Sequence, residues 1–485
     1  MENLGWKPNR LSTIPLHKQI EEYLKEKILN GEWTVGTKIP SQRALAKAFE
    51  VNRSTIVTAL NELTAQGLLE GKSGGGTRVV NNTWSLLTST TPPDWNAYVK
   101  AGIHEPNLPT IQEINKAEFY PDIIRLGTGE LSPELLPYEQ MQRIFPRIFD
   151  RKMSLGYEES KGDFFLRSQL TNHLKRLGIN TSPSSILIVS GALQALQLIS
   201  IGLLKRGSTV LLEKPSYLYS VNVFQSAGMK LVGVPMDEHG IRTSLIERYK
   251  KQYNGSLLYL IPSFHNPTGT LMTEERRKHI MKICEQLSLP LIEDDVYGEL
   301  WIDEPPPSPL KAKDKHGHVL YLGSLSKTLS PGLRIGWIVG PEPVIERLAD
   351  IKMQTDYGSS SLSQKAAAEW LASDLYQKHL EFVREQLKIR RAAAMEALET
   401  HLSDIATWNF PKGGFFIWLK IKPKLSMRNL YEIALSKGIL LNTGNIYSQE
   451  PNQYLRLSYA YASLPELKQG IYQLSQIIRS LGTDS

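Results

Sequence analysis

The amino-acid sequence predicts an α/β protein, in which a large, mostly parallel β-sheet follows a small N-terminal helix-turn-helix. Beyond residue 120, short β-rich runs alternate with helical stretches, which is typical of a parallel sheet covered by helices. Before residue 81, two short amphipathic helices surround a tight turn, and two β-rich runs follow them. The 485 residues correspond to about three domains, or to one large domain with smaller additions.

The composition excludes several other classes of protein. A hydrophobic fraction of 41% with 22% charged residues is ordinary for a globular chain, which argues against disorder, collagen and a coiled-coil rod. The single cysteine excludes an internal disulfide and a thiolate-rich metal site, and it favours a reducing compartment. The first residues contain no apolar run of signal-peptide length. We therefore expect a cytoplasmic protein.

Positive charge is slightly concentrated in the N-terminal part of the chain. The whole sequence has 56 Lys and Arg against 49 Asp and Glu, a net charge of +7, whereas residues 1–81 have 11 against 8. This part is therefore more basic per residue than the rest. Such a balance suggests a nucleic-acid surface without establishing one.

The N-terminal segment predicts three helices and a β-hairpin. Apolar residues recur at helical spacing over residues 15–30, and Ser41 is a candidate N-cap for a second helix. A third helix is predicted over residues 53–66, with its inward face formed by Ile56, Val57, Leu60 and Leu63. Residues 68–80 then predict a hairpin, whose turn at residues 74–76 consists of glycines that can take conformations closed to other residues.

This segment resembles the winged-helix DNA-binding domain of GntR-type regulators over residues 12–81. The resemblance rests on the strings Pro-Ser-x-Arg, Leu-Ala, Asn-Arg-Ser-Thr, Gly-Leu-Leu and Gly-Gly-Gly-Thr, which occur in that order. It implies that the DNA-facing residues are Ser41, Arg43, Arg53, Ser54, Thr55, Thr58 and Gly76. The two arginines would position the domain on phosphates, while side chains early in the third helix would read bases. The residue types alone would also allow a solvated three-helix face.

Residues 82–116 predict a linker. They mix Ser, Thr, Pro, Asn and isolated aromatic residues with little periodicity, which is typical of a tether with short ordered pieces. A stretch of this length is too long for an ordinary loop inside a compact domain, and it therefore indicates a domain boundary.

Seven β-rich runs predict the strands of the large sheet. They cover residues 186–189, 209–213, 230–234, 257–261, 289–293, 319–322 and 335–339. Residues 186–204 carry no charge and nearly reach the length of a membrane span, but Ser190 and Gly191 interrupt them. We therefore interpret this segment as a buried strand followed by a buried helix, and a membrane span remains the alternative.

Polar segments follow five of these runs, at the strand ends where a ligand site is expected. They are Ser190-Gly191-Ala192, Lys214-Pro215-Ser216-Tyr217, His265-Asn266-Pro267-Thr268-Gly269, Asp294-Asp295-Val296-Tyr297 and Ser324-Leu325-Ser326-Lys327. Each segment alone is an ordinary cap, turn or loop. Together they supply a helix N-terminus for a phosphate, an aromatic face, an Asn, an Asp, a Tyr and a Lys. This is the set of groups that holds pyridoxal phosphate.

Residues 117–480 resemble the class I/II aminotransferases of fold type I, whose large domain is followed by a smaller α+β subdomain, here at about residues 380–480. The strings SLSKTLSPGLRIGW, HNPTG and EDDVYGE carry the resemblance. It implies pyridoxal 5'-phosphate as cofactor and three catalytic residues: Lys327 forming the Schiff base, Asp294 pairing with the ring nitrogen, and Tyr297. It further implies a set of cofactor-binding residues: Asn266 and Tyr297 at the ring hydroxyl, Tyr217 on the ring face, and Ser190, Gly191, Ala192, Ser324, Ser326 and Arg334 around the phosphate.

The same resemblance implies a substrate site and a dimer. Arg456, in YLRLSYA, matches the arginine that binds a substrate α-carboxylate, and Gly129 is expected beside it. Tyr157 matches a tyrosine that reaches the cofactor phosphate of a neighbouring subunit, which implies a homodimer. We expect no metal site, because His316 and His318 have no third candidate ligand nearby in sequence. Cys284 lies among apolar neighbours and is expected to be a core thiol.

A GntR-type winged helix, a linker and an aminotransferase-like domain together resemble the MocR/GabR subfamily of bacterial transcriptional regulators. The resemblance implies a DNA-binding dimer that senses an amino acid, an amine or a B6 vitamer through Schiff-base chemistry at Lys327. An active aminotransferase that also binds DNA is the alternative, because every catalytic position that we can match is filled. A DNA-binding protein with an inactive second domain is a third hypothesis.

Overall fold

The computed structural model describes residues 6–72, 76–81, 95–102, 104, 106–150 and 156–483. The chain divides into two compact units, with the boundary between residues 103 and 104. Each unit has hydrophobic core residues of its own.

The first unit contains the three predicted helices and the hairpin. Its elements are α1 (Leu16–Leu29), α2 (Gln42–Phe49), α3 (Arg53–Ala65), β1 (Leu69–Lys72) and β2 (Gly76–Val79). Ser41 is confirmed as an N-cap, because its side chain accepts a hydrogen bond from the Ala44 N–H at 3.2 Å. In α3 the predicted inward face is largely correct, but Ala59 is fully buried whereas Val57 is only half-buried.

The hairpin pairs β1 and β2 antiparallel, with Leu69 opposite Val79 and Lys72 opposite Gly76. Gly76 has a φ of +81°, a conformation that favours glycine. Residues 73–75, which include two of the predicted turn glycines, lie outside the described residues.

Two helices fall within the predicted linker. They are α4 (Trp95–Ala101) and α5 (Pro109–Ala117). Helix α5 buries Ile111, Ile114 and Ala117 in the core of the second unit. The part of the predicted linker just before residue 117 is therefore packed structure, and the exact domain boundaries stay predictions.

The second unit is built on an eight-stranded sheet. Its strands are β4 (Ile186–Val189), β5 (Thr209–Lys214), β6 (Lys230–Asp237), β7 (Gly240–Ile241), β8 (Gly255–Leu260), β9 (Leu291–Asp294), β10 (Val319–Ser324) and β11 (Gly336–Val339), in the spatial order β4-β11-β10-β9-β8-β5-β6-β7. The central strands pair in parallel, which confirms the predicted mostly parallel sheet. Strand β11 is an exception, because it runs antiparallel to both of its neighbours.

Helices of the second unit surround this sheet. They are α6 (Tyr138–Asp150), α7 (Phe164–Arg176), α8 (Ala192–Leu203), α9 (Val223–Ser226), α10 (Ile246–Tyr253), α11 (Glu274–Leu287), α12 (Leu310–Lys313), α13 (Glu342–Met353) and α14 (Ser361–Ala372). The uncharged segment 186–204 is β4 followed by α8, as the sequence predicts. No helix among the described residues has the length and apolar character needed to cross a membrane.

A smaller antiparallel sheet follows, and the long helix α15 (Leu375–Leu402) precedes it. The sheet consists of β12 (Ala406–Trp408), β13 (Phe416–Ile421), β15 (Asn442–Thr443) and β16 (Tyr454–Ser458), in the order β12-β13-β16-β15. Helices α16 (Met427–Ser436) and α17 (Leu464–Thr483) accompany it. A short strand, β14 (Ile439–Leu440), pairs with β3 (Ile124–Arg125) from the start of the unit.

The sheet topology brings the polar segments to one edge. Parallel strands β5, β8, β9 and β10 all end at this edge. Because β11 runs in the opposite direction, its first residue rather than its last lies here, and Gly336 pairs with both Val189 and Ser324. The loop before β11 therefore delivers Arg334 to the same edge.

Candidate functional site

A cavity of about 330 Å³ lies at this edge of the sheet. Of the residues predicted for the cofactor and substrate, it is lined by Gly129, Gly191, Ala192, Tyr217, Asn266, Asp294, Tyr297, Ser324, Ser326, Lys327, Arg334 and Arg456. The same cavity is lined by Glu118, Thr128 and Glu130, which the sequence reasoning missed. These three precede the first strand of the large sheet, where no strand-end pattern marks them.

Lys327 lies in the loop after β10, and its ammonium group points back to the start of the unit. The Lys327 Nζ donates a hydrogen bond to the Gly129 carbonyl at 2.7 Å. Burial lowers the pKa of Lys327 from its usual value, although the negative charge of Glu130 acts in the opposite direction. A lowered pKa increases the fraction of neutral amine, which is the form that attacks a carbonyl group.

Asp294 is the last residue of β9 and is buried. Its Oδ2 accepts a hydrogen bond from the Tyr259 hydroxyl at 2.6 Å, while its Oδ1 has no hydrogen-bond partner among the described residues. Burial raises the pKa of Asp294 to about 6. A buried carboxylate oxygen without a partner is costly, and a protonated ring nitrogen would supply the missing hydrogen bond. The site therefore fits the cofactor that the resemblance to class I/II aminotransferases implies.

The start of α8 forms one end of the cavity. Gly191 has a φ of +80°, a conformation that favours glycine, and a Cβ at this position would lie 2.6 Å from the Arg334 Nη2. Arg334 Nη2 donates to the Ser190 carbonyl at 2.8 Å. On the neighbouring loop, the Ser324 hydroxyl is 3.0 Å from that of Ser326. A helix N-terminus beside a guanidinium group and hydroxyl groups suits a phosphate.

Arg456 lies on β16 and is only 6% exposed. Its Nη1 donates to Asn266 Oδ1 at 2.9 Å and its Nη2 donates to the Gly127 carbonyl at 2.6 Å, while its Nε is buried without a partner among the described residues. The guanidinium carbon lies 4.2 Å from the centre of the Phe416 ring. These contacts fix the guanidinium group in one orientation, as binding of a planar carboxylate requires.

Two tyrosines at the cavity are neutral phenols. Burial raises the pKa of Tyr217 to about 12, and burial also raises the pKa of Tyr297 above its usual value. The Tyr297 ring packs edge-on against Phe415 and Phe416, at centroid distances of 5.6 and 5.5 Å. Both hydroxyl groups therefore keep their protons and can donate hydrogen bonds.

Tyr157 does not line this cavity within one chain. It is 83% exposed, and its ring lies 5.0 Å from that of Tyr357. Its predicted role concerns the cofactor of a second subunit and stays a prediction.

The residues predicted to face DNA lie at the surface of the first unit. Ser41, Arg43, Arg53, Ser54, Thr58 and Gly76 are exposed, and Thr55 is half-buried. Arg53 donates from Nε and Nη2 to Gln42 Oε1 at 3.1 and 2.9 Å, which joins the start of α3 to α2. Lys38 lies beside Gly76, where a Cβ would come within 2.6 Å of the Lys38 side chain. The sequence reasoning missed Gln42 as a neighbour of this surface.

Cys284 is buried in α11, as expected of a core thiol. Burial raises the pKa of its thiol to about 12, so it is protonated and unreactive near neutral pH. Among the described residues, no group of three or more His, Cys, Asp or Glu side chains is arranged to hold a metal ion.

Fold and site together define a winged-helix protein with a fold type I aminotransferase domain. The family model for bacterial regulatory proteins of the gntR family matches residues 16–79, and the model for aminotransferase class I and II matches residues 121–474. The chain is 60% identical over 474 residues to the HTH-type transcriptional regulator YdfD of Bacillus subtilis, covering 98% of each protein. It is 35% identical over 455 residues to the HTH-type transcriptional regulator NorG of Staphylococcus aureus, covering 92% of this chain and all of that protein.

Solved aminotransferase structures are similar to a large part of the chain. A kynurenine aminotransferase from Pyrococcus horikoshii, in complex with PMP, has a TM-score of 0.73 and 31% identity, covering 78% of this chain and 95% of that chain. The α-aminoadipate aminotransferase LysN from Thermus thermophilus has a TM-score of 0.74 and 29% identity, covering 81% of this chain and 100% of that chain. That structure is complexed with N-(5'-phosphopyridoxyl)-L-leucine.

The chain belongs to the GntR family of transcriptional regulators that carry a class I/II aminotransferase domain, the MocR/GabR type. The predicted family and fold class are thereby confirmed. The GntR domain makes it a DNA-binding regulator.

Proposed function

We propose that this regulator binds pyridoxal 5'-phosphate in the cavity, senses an amino compound there, and changes its DNA binding in response. The observation that carries the proposal is the presence in one cavity of Lys327, Asp294 and Arg334, each suited to a different part of the cofactor. The amino compound is an amino acid, an amine or a B6 vitamer.

In this proposal, different residues bind different parts of the cofactor. When bound, the cofactor supplies an aldehyde that reacts with amines and a ring that withdraws electrons. Lys327 would hold the aldehyde carbon, and Asp294 would keep a proton on the ring nitrogen. The remaining contacts come from Tyr217 on the ring face, from Asn266 and Tyr297 at the ring hydroxyl, and from Ser190, Gly191, Ala192, Ser324, Ser326 and Arg334 at the phosphate.

Arg456 binds the carboxylate of the amino compound, with Gly129 leaving room beside it. A Cβ at Gly129 would lie 3.1 Å from Phe416 Cζ and 3.8 Å from Arg456 Nη2, which supports this role. An amino compound that took the aldehyde carbon from Lys327 would release the Lys327 side chain as a free amine, and this would alter the contacts around the site. This alters DNA binding only if the ligand has different affinities for two arrangements of the protein.

The regulator acts as a homodimer in this proposal. Tyr157 reaches the cofactor phosphate of the second subunit, and its exposure within one chain supports a role outside its own cavity. DNA is bound through Ser41, Arg43, Arg53, Ser54, Thr55, Thr58 and Gly76 of each winged helix.

The cofactor assignment is tested by reduction with borohydride and peptide mapping of the full-length protein. We expect a visible absorption band from bound cofactor and a reduced adduct on Lys327. Lys327→Ala should lose the adduct, while Lys424→Ala, at an exposed position, should keep it. An unchanged adduct in Lys327→Ala overturns the assignment.

Sensing is tested by footprinting with and without candidate amino compounds. A footprint that no cofactor form or amine alters would favour the hypothesis of an inactive second domain. A second candidate function, steady transamination, is favoured by the lowered pKa of Lys327 together with the fixed guanidinium group of Arg456. Sustained 2-oxo acid formation at ordinary enzyme rates would support that alternative.

A further inference from the structure

Two carboxylates at the cavity have no part in the proposed function. The charged residues that line the cavity are Lys327, Arg334, Arg456, Asp294, Glu118 and Glu130. Four of them are assigned to the cofactor or to the carboxylate of the amino compound. Glu118 and Glu130 are the charged lining residues left over.

Both glutamates lie at the end of the cavity where the amino compound would bind. Gly127 accepts a hydrogen bond from Arg456, and Gly129 accepts one from Lys327, at 2.6 and 2.7 Å. Between them, the Thr128 hydroxyl donates to Glu118 Oε1 at 3.0 Å, and Glu130 is the next residue in the chain. The short segment 127–130 thus joins the two glutamates to Lys327 and Arg456.

Electrostatics agrees with this placement. Of the charged groups that act on the pKa of Lys327, Glu130 has the largest effect, and Glu118 also contributes. Both carboxylates raise this pKa, as anions close to an ammonium group do. A ligand cation close to the same two carboxylates would experience an attraction of the same sign.

Glu130 has no partner of its own in the part of the chain that the structure describes. It is half-buried, and it has no hydrogen-bond or ion-pair partner among the described residues. Arg125 is a cation in the same region, but its guanidinium group donates to the Tyr461 hydroxyl at 2.7 Å and stacks on that ring. A half-buried carboxylate is costly when it stays unpaired, so Glu130 favours a cationic ligand.

A second observation points to a ligand at this end of the cavity. Arg456 is more than nine-tenths buried, lines the cavity, and keeps its Nε without a partner among the described residues. The site therefore offers an unused donor for a carboxylate next to two acceptors for a cation. An amino acid with a second carboxylate would bring like charges together, and an apolar side chain would leave the Glu130 carboxylate without a partner.

We infer that the amino compound sensed by this regulator is an α-amino acid with a positively charged side chain. Arg456 binds its carboxylate, and Glu130, supported by Glu118, binds the side-chain cation. This inference rests on the proposed function, because it needs the amino acid to react at the same cavity.

The experiment titrates the full-length, cofactor-loaded protein with four amino acids, and it follows the visible band of the cofactor. The probes are L-lysine, L-ornithine, L-norleucine and L-2-aminoadipate, of which lysine and norleucine differ in the terminal ammonium. We expect lysine or ornithine to bind at least about tenfold more tightly than norleucine, and 2-aminoadipate to bind most weakly. Norleucine binding as tightly as both cationic amino acids overturns the inference.

Variants test whether the two glutamates cause the preference for a cationic amino acid over norleucine. Glu130→Gln should remove most of the preference, measured as the ratio of the lysine affinity to the norleucine affinity within the same variant, and Glu118→Gln should reduce this ratio. Glu113→Gln, at an exposed position on α5, is the matched control and should keep it. A full preference in Glu130→Gln overturns the inference even if lysine binds well.

The outcome distinguishes this inference from the proposed function. Failure of the proposed function appears before any titration, as a protein without the cofactor band or without the Lys327 adduct. A cofactor band that shifts with norleucine as readily as with lysine overturns only the charge preference.

Discussion

Asp294 carries a buried carboxylate with one oxygen that has no hydrogen-bond partner among the described residues, and this arrangement contributes to the pH dependence of the cofactor-free protein. Burial raises its pKa from 3.8 to about 6, so the folded chain holds this proton more tightly than the unfolded chain. The ionised carboxylate therefore destabilises the folded protein. This destabilisation is absent below about pH 4, grows as the pH rises, and is complete above about pH 6.

We therefore expect Asp294→Asn to stabilise the cofactor-free protein at pH 7.5 by up to about 3 kcal/mol, and to do so much less at pH 4. Urea unfolding at the two pH values measures the difference. The same variant should lose most of its affinity for pyridoxal phosphate. Asp350→Asn, in an exposed ion pair, is the control and should change stability little. A lower stability of Asp294→Asn at pH 7.5 contradicts the prediction.

The lowered pKa of Lys327 predicts how cofactor binding depends on pH. The neutral amine is the reactive form, and burial makes it more abundant at a given pH than in free lysine. We expect the rate of cofactor incorporation to rise with pH through an apparent pKa below 10.5. Stopped-flow absorbance from pH 6 to 10 measures this rate, with N-acetyl-lysine as the reference amine. An apparent pKa equal to the reference value would disprove it.

At the scale of single residues, sequence patterns predict the groups that follow strands and miss those that do not. Lys327 and Asp294 are marked by the strand ends before them, and the structure brings both to one cavity. Glu118 and Glu130 carry no such signal, because only contacts between distant parts of the chain bring them to Lys327. Their position at the cavity could not be predicted from residue type.

At the scale of elements, strand direction is what the sequence leaves open. The hydrophobic pattern of β11 is the same in either direction, so the pattern cannot reveal that β11 runs antiparallel. That direction explains why Arg334 precedes its strand whereas Asp294 ends one. The inward face of α3 differs less from its prediction. The helix buries Ala59, which the sequence does not predict, and leaves the predicted Val57 only half-buried.

Substitutions of Ser41, the N-cap of α2, can distinguish its effect on helix stability from its effect on DNA binding. Ser41 accepts a hydrogen bond from Ala44 N–H, and both Asn and Asp can replace it in that role. We expect Ser41→Ala to destabilise α2 by about 1 kcal/mol, seen as faster amide exchange. Ser41→Asp should protect α2 but weaken DNA affinity through its negative charge, whereas Ser41→Asn should keep both. Equal DNA affinity of the Asp and Asn variants would remove Ser41 from the DNA surface.

At the scale of the whole molecule, the concentration of positive charge in residues 1–81 predicts the salt dependence of DNA binding. Each arginine that contacts a phosphate releases a counterion, so losing one lowers the slope of log affinity against log salt by about 1 per contact. Arg43→Gln should show this decrease. Lys278→Gln, at a position in the second unit, is the control and should keep the slope. An unchanged slope in Arg43→Gln means that it makes no phosphate contact.

The division of the chain into a winged helix and a larger α/β unit was predictable, because each part has its own periodicity. The end of the linker was harder to predict. Helix α5 is short, and its buried residues are recognisable as core only through the partners that they meet in the second unit. Local composition predicts a tether for this segment, even though its last turns pack into the core of the second unit.

Helix α5 has a further consequence for the path of the chain. Its final cap is Glu118, which lines the ligand cavity, while its buried face is part of the core. The segment that arrives from the winged helix is thus anchored to the wall of the cavity itself. The core contacts of the linker's last turns and one wall of the ligand cavity therefore belong to a single helix and its cap.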